Sequence, residues 1–183
     1  MATRTQARAM VISILYAHDV GNENAIDSAK ELLEEKRIRN KQQEFALTLL
    51  HGVMEQKNAL DNIISAHLKE WDIHRLGKIE LAILRLGVYE ICFEDTDAAV
   101  AINEAIEFSK SYADESAPKL INGVLDSVQR SVKDKDLQEY LKELEALPKQ
   151  QSTKLNQSLK KYQAKPLRPK SHRLQRKSKQ KSY

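Results

Sequence analysis

The segment from Arg75 to Phe93, RLGKIELAILRLGVYEICF, limits the possible folds more than any other part of the chain. Leu76, Ile79, Ala82, Ile83, Leu86, Tyr89 and Ile91 with Phe93 recur three and four residues apart, and further apolar residues lie between them. That spacing predicts a helix, and one apolar on nearly every side is a buried core helix, because a surface helix keeps a polar face. At about 19 residues it has the length of a membrane span. Lys78, Glu80, Arg85 and Glu90 interrupt it, however, and each charge at bilayer depth costs a few kcal/mol. A helix buried in protein is the expectation.

Two helices follow it. Asp97 is an N-cap type, and Val100, Ile102, Ala105, Ile106 and Ser109 predict the inner stripe of the helix it opens. Ser116 caps the next, with Pro118 in the first turn, where a missing N–H is harmless. Leu120, Ile121, Val124, Leu125 and Val128 predict its buried face. Upstream, helices are expected over about Thr5 to Val20, Ala25 to Glu35, around Phe45 to Met54, and around Leu60 to Leu68. Asp72 is a further cap candidate. Gly and Pro are few and no run alternates over strand length, so the fold class is all-α, with the Arg75 helix as the axis of a bundle. Gly123, inside a helix, predicts close approach of another backbone.

The overall charge of +4 conceals two opposite parts. Residues 1–148 carry 18 Lys+Arg against 26 Asp+Glu, a net of −8, whereas residues 149–183 carry 12 Lys+Arg and no acid, a net of +12. Leu137, Tyr140, Leu141, Leu144 and Leu147 between them predict a short amphipathic helix ended by Pro148. The expected organisation is thus a helical domain over 1–133, a short helix over 134–148, and a basic tail over 149–183 too poor in apolar residues to order itself. Such a tail attracts polyanions without sequence preference. No leader-like segment opens the sequence, so a cytoplasmic location is expected.

Catalytic constellations are missing from the pattern. The Gly77-Lys78 pair lacks the glycine spacing of a phosphate loop and falls inside the predicted helix. His51, His67 and His74 have no Cys or carboxylate at ligand spacing, so neither a metal nor a cofactor is expected. The single cysteine, Cys92, reads as a small core residue. Arg4 and Arg8, four apart on one helix face, suit phosphate through the guanidinium fork, and equally read as two solvated charges. Lys36, Arg37, Arg39 and Lys41 complement a helix C-terminus or make a second phosphate contact. Asn103 and Asn122 satisfy backbone groups between helices or offer amides to a ligand.

The strings LAILRLGVYE, AVAINEAIEFSKSY and APKLINGVLDSV, with Arg4, Arg8 and the ILYAHD segment around Tyr16, resemble the bacterial transcription antitermination factor NusB family. The resemblance spans about residues 3–132 and not the last fifty. It implies a NusB-like fold of about seven helices in two packed sub-bundles, and a non-catalytic protein. Its implied partners are boxA-type RNA of nascent ribosomal transcripts, the small-subunit ribosomal protein NusE, RNA polymerase and the other Nus factors. It also admits a homodimer of the free protein. Carried over by position, Arg4, Arg8, Lys119 and Asn122 are expected to contact RNA, and Tyr16, Glu80 and Leu120 to contact NusE. A NusB-like domain also occurs in some rRNA cytosine methyltransferases, but no glycine-rich cofactor loop follows here. A protein-interaction module without RNA affinity is the remaining alternative.

Overall fold

A computed structural model describes residues 2–68, 71–133 and 137–146. The expectation of a disordered basic tail over 149–183 falls outside these residues. Among them are eight α-helices and no strand: α1 (Arg4–Asp19), α2 (Ala29–Glu35), α3 (Lys41–Glu55), α4 (Lys57–His67), α5 (Lys78–Cys92), α6 (Ala98–Tyr112), α7 (Ala117–Lys133) and α8 (Leu137–Ala146). Short 3-10 turns stand at Glu23–Ala25 and Ile73–Arg75.

Helix α5 is the axis. It packs against α1, α3, α4, α6 and α7, and every residue from Leu81 to Glu90 is buried. It starts at Lys78 rather than at Arg75, because Asp72 caps the preceding 3-10 turn and Gly77 in extended geometry forms the true N-cap. The Gly77-Lys78 pair therefore opens the helix instead of lying within it. Two charges in the buried stretch are matched by neighbours. Arg85 Nε donates to Asp61 Oδ1 at 2.7 Å, Nη2 to Asp61 Oδ2 at 3.0 Å, and Nη1 donates to Asp19. Burial opposes the charge on both Arg85 and Asp19. At Arg85 the hydrogen bonds and fields of Asp61 and Asp19 outweigh it, and at Asp19 those of Arg85 and Lys57 do, so Arg85 is raised and Asp19 lowered from their ordinary values.

Close approach to α5 is set by two glycines. A Cβ at Gly52 of α3 would run into the Tyr89 ring, and one at Gly87 would meet Leu125 Cδ1 at 2.9 Å. Gly123 corrects the expectation, since nothing lies within 4 Å of its would-be Cβ and the position is exposed.

Asp97 caps α6 as predicted, its Oδ1 accepting from the Ala99 N–H at 2.8 Å. The inner face of α6 differs from the predicted stripe. Ala101, Ile102, Ala105, Phe108 and Ser109 are buried, Val100 is 46% exposed and Ile106 is only half-buried. Alanines at 101 and 105 let α6 lie close to its neighbours, and Phe108 fills the space one turn on. On α7, Ile121, Val124, Leu125 and Val128 are buried while Leu120 is half-buried. The expected Ala25–Glu35 helix is divided into a 3-10 turn and α2, yet Ala25, Ala29 and Leu33 keep one buried face.

Helix α8 docks on α4 and α7. Tyr140 is buried there, and His67 bridges its hydroxyl (Nε2, 2.6 Å) to the Ser127 hydroxyl (Nδ1, 2.7 Å). Burial pushes the Tyr140 phenol up to about 12, assisted by Cys92 and Glu143, and the Cys92 thiol up to about 12. Both are neutral at ordinary pH. No described helix is long and apolar enough to cross a membrane.

Candidate nucleic-acid and partner interfaces

Helix α1 begins at a capping box. Gln6 N–H donates to Thr3 Oγ1 at 3.2 Å, and Thr3 N–H donates to Gln6 Oε1 at 2.9 Å. This fixes Arg4 in the first helical turn, exposed, with its guanidinium carbon 5.0 Å from the centre of the Phe45 ring on α3. Arg8, one turn later, has a different position. Its Nε donates to both Glu90 oxygens at 3.0 Å and its Nη2 to Oε1 at 2.7 Å, with both residues buried. Thr96 Oγ1 lies 3.5 Å from the same carboxylate.

The expected pairing of Arg4 with Arg8 as two surface phosphate ligands is therefore corrected. Both share α1 and both lie over Phe45, Arg8 at 5.3 Å, but the guanidinium of Arg8 is directed into the α1–α5 seam. The physical reason is Glu90. A carboxylate this deep in the core helix would carry an uncompensated charge without it. Beside the seam, Thr5 Oγ1 donates to Glu104 Oε1 of α6 at 2.9 Å.

Lys119 and Asn122 are three apart on α7, hence neighbours on its surface, and both are exposed. Asn103 is exposed too, so neither asparagine bridges buried backbone groups. Helices α1 and α7 share α5 as a neighbour, so the two RNA-candidate clusters stand on separate helices. Among the described residues no cluster of three His, Cys, Asp or Glu side chains is arranged to hold a metal.

The partner candidates Tyr16 and Glu80, distant in sequence, meet at one groove. Its volume is about 400 Å³, and Tyr16, Gly77, Lys78, Ile79, Glu80, Tyr112, Ala113 and Asp114 line it. Tyr16 is 42% and Tyr112 61% exposed, two rings with an apolar body and a hydroxyl at the groove. Glu80 folds back over Gly77, and its Oε2 is buried with no hydrogen-bond partner among the described residues. A groove rimmed by two exposed tyrosines suits a partner that brings an apolar contact to them. Leu120 is not among the lining residues, being half-buried against the core from α7. Tyr112 and Asp114 escaped the sequence reading, because a residue at a helix end lies beyond any periodic stripe.

The family model described as NusB family matches residues 5–130. This chain belongs to the NusB family. It is 55% identical over 130 residues to a transcription antitermination protein NusB of Sulfurimonas denitrificans, covering 71% of this chain and 98% of that one. It is 53% identical over 133 residues to the protein of the same name from Nitratiruptor sp., covering 73% and 96%. Among solved structures, a crystal structure of antitermination factors NusB and NusE in complex with double-stranded RNA superposes with a TM-score of 0.63 at 36% identity, covering 70% of this chain and 96% of that one. Helix α8 lies beyond the stretch the family model matches.

Proposed function

We propose that this protein is a non-catalytic, cytoplasmic transcription antitermination factor. It binds the boxA-type element of nascent ribosomal RNA jointly with NusE and joins the other Nus factors on RNA polymerase. The observation that carries this reading is the groove that gathers Tyr16 and Glu80 from α1 and α5. The relatives named antitermination proteins, and the solved NusB–NusE–RNA complex, support it.

In this reading the groove receives NusE, with Tyr112 and Asp114 adding to Tyr16 and Glu80. Leu120 contributes by fixing α7 against the core. Arg4, Lys119 and Asn122 contact RNA, and Arg8 acts indirectly by holding α1 on α5. Because residues 1–148 carry a net charge of −8, the folded body attracts phosphate weakly, and RNA affinity depends on the partner.

A gel-shift titration with boxA RNA, with and without NusE, tests the reading. NusE is expected to raise RNA affinity at least tenfold, a coupling of about 1.4 kcal/mol. Equal affinities in the two titrations, or no preference for boxA over a scrambled RNA, would sink it. Tyr16→Ala is expected to abolish the gain while leaving the weak intrinsic RNA binding in place.

A further inference from the structure

Between α2 and α3 stands a run of positive charge that the proposed RNA contacts leave unused. Lys36, Arg37, Arg39 and Lys41 place four cations in six residues. All four are exposed, and none joins an ion pair among the described residues. Complementing the α2 dipole explains only part of this. The Ile38 N–H reaches the Leu33 carbonyl at 2.8 Å and the Arg37 N–H reaches that of Glu34 at 2.9 Å, so backbone groups already close the helix end. Arg39 and Lys41 lie past it.

The loop is also held in shape. Arg37 and Asn40 both adopt positive φ, 60° and 55°, which is uncommon for an arginine and easier for an asparagine. Ile38 between them is buried against the core and pins the turn. Arg37 and Arg39 are thereby exposed on either side of a buried anchor, Ile38. Lys41 then opens α3, and Phe45, on the same face one turn along, carries Arg4 over its ring at 5.0 Å. Lys41 and Arg4 thus share Phe45 as a neighbour at the α1/α3 junction.

We propose that the Lys36–Lys41 loop is a second phosphate-contacting segment, continuous with Arg4, that takes the sugar–phosphate backbone of single-stranded RNA flanking the recognised element. Phe45 is a positioning residue that holds Arg4 in line with it. The inference rests on the proposed RNA-binding function and adds a site to it.

The test uses the full-length chain with NusE and a triple variant, Arg37→Asn, Arg39→Ala and Lys41→Ala. Asn tolerates the left-handed backbone at position 37. RNA affinity is titrated across a salt series with boxA alone and with boxA extended by flanking nucleotides. On the extended RNA the slope of log affinity against log salt is expected to fall by about 2, at about 0.7 per lost phosphate contact, and affinity at fixed salt by about tenfold. The boxA-to-scrambled ratio should persist, because phosphate contacts carry no sequence information. The short RNA should respond less. Phe45→Leu should weaken binding several-fold and Phe45→Tyr should restore it.

An unchanged slope in the triple variant, with Arg4→Ala still weakening binding, overturns the loop assignment and leaves the proposed function standing. Loss of NusE binding with an intact RNA slope also overturns it, and moves the loop to a protein interface. If the wild-type complex does not bind RNA at all, the proposed function and this inference fall together. Equal melting temperatures of variant and wild type exclude unfolding as the cause.

Discussion

Arg4 and Arg8 lie one turn apart on the same helix and both lie over Phe45, yet one is exposed and the other is buried in a helix seam. Arg8 closes the α1–α5 seam on a buried carboxylate, whereas Arg4 is exposed and lies over the Phe45 ring of α3. The difference arises from the partner helix rather than from α1 itself. Residue type and spacing make the two arginines equivalent, and only the acid on α5 separates a structural charge from one left for a ligand. A buried pair of this kind adds little net stability over an apolar pair, but removing one member leaves the other stranded.

The largest effect is therefore expected in the seam. Arg8→Ala should destabilise the fold by about 3–5 kcal/mol, measured by urea unfolding, because Glu90 would remain buried and unpaired. Arg8→Met combined with Glu90→Leu should recover most of that loss. If Arg8→Ala costs less than 1 kcal/mol, the seam is open to water and Arg8 returns to the set of RNA candidates.

Two helix glycines sharpen the same contrast. Gly52→Ala should cost about 1–3 kcal/mol, since the new methyl would displace the Tyr89 ring in a filled core. Gly123→Ala, facing open space, should instead stabilise by up to about 1 kcal/mol through helix propensity. Thermal unfolding of both variants decides it, and a Gly52→Ala variant as stable as wild type would mean that the α3–α5 contact is looser than described.

On the open face, Arg4→Ala should change stability by less than about 1 kcal/mol, the strength of an exposed cation–π contact. Its effect should appear in RNA binding, as a several-fold weakening and a salt slope smaller by about 0.7. A variant that binds RNA as wild type does would make Arg4 a solvated charge.

The fold was largely legible because the Arg75–Phe93 pattern admits one environment. A helix apolar on all sides must be surrounded, and the flanking amphipathic segments supply the surround. Caps at Asp72 and Asp97 were legible for a local reason, since the side chain bonds within its own turn. Details that depend on a second helix were not. The α6 face is turned by its alanines, Gly123 faces outward, and Gly52 is filled by a ring far along the chain. The same limit governs the sites. Tyr16 and Glu80 were reached through family resemblance and share a groove, whereas Tyr112 and the burial of Arg8 follow from helix packing alone.

The smallest effect is expected at the docked helix α8, where a single half-buried histidine links three helices. His67 hydrogen-bonds Ser127 and Tyr140 through its two ring nitrogens. Burial penalises the imidazolium, so its folded pKa lies below the ordinary 6.5. Between the folded and unfolded values the unfolded chain binds more protons, and stability rises with pH in that window. The contribution of neutral His67 is thus fully present above 6.5 and is lost as pH falls through the folded pKa. Melting temperatures taken from pH 8 down to pH 5 should show a shallow decline on the acid side. His67→Gln keeps one donor and one acceptor but cannot take up a proton, so it should flatten that decline even if its overall stability is lower. Should the variant decline in parallel with the wild type, another group sets the acid response, and the α8 latch is insensitive to pH.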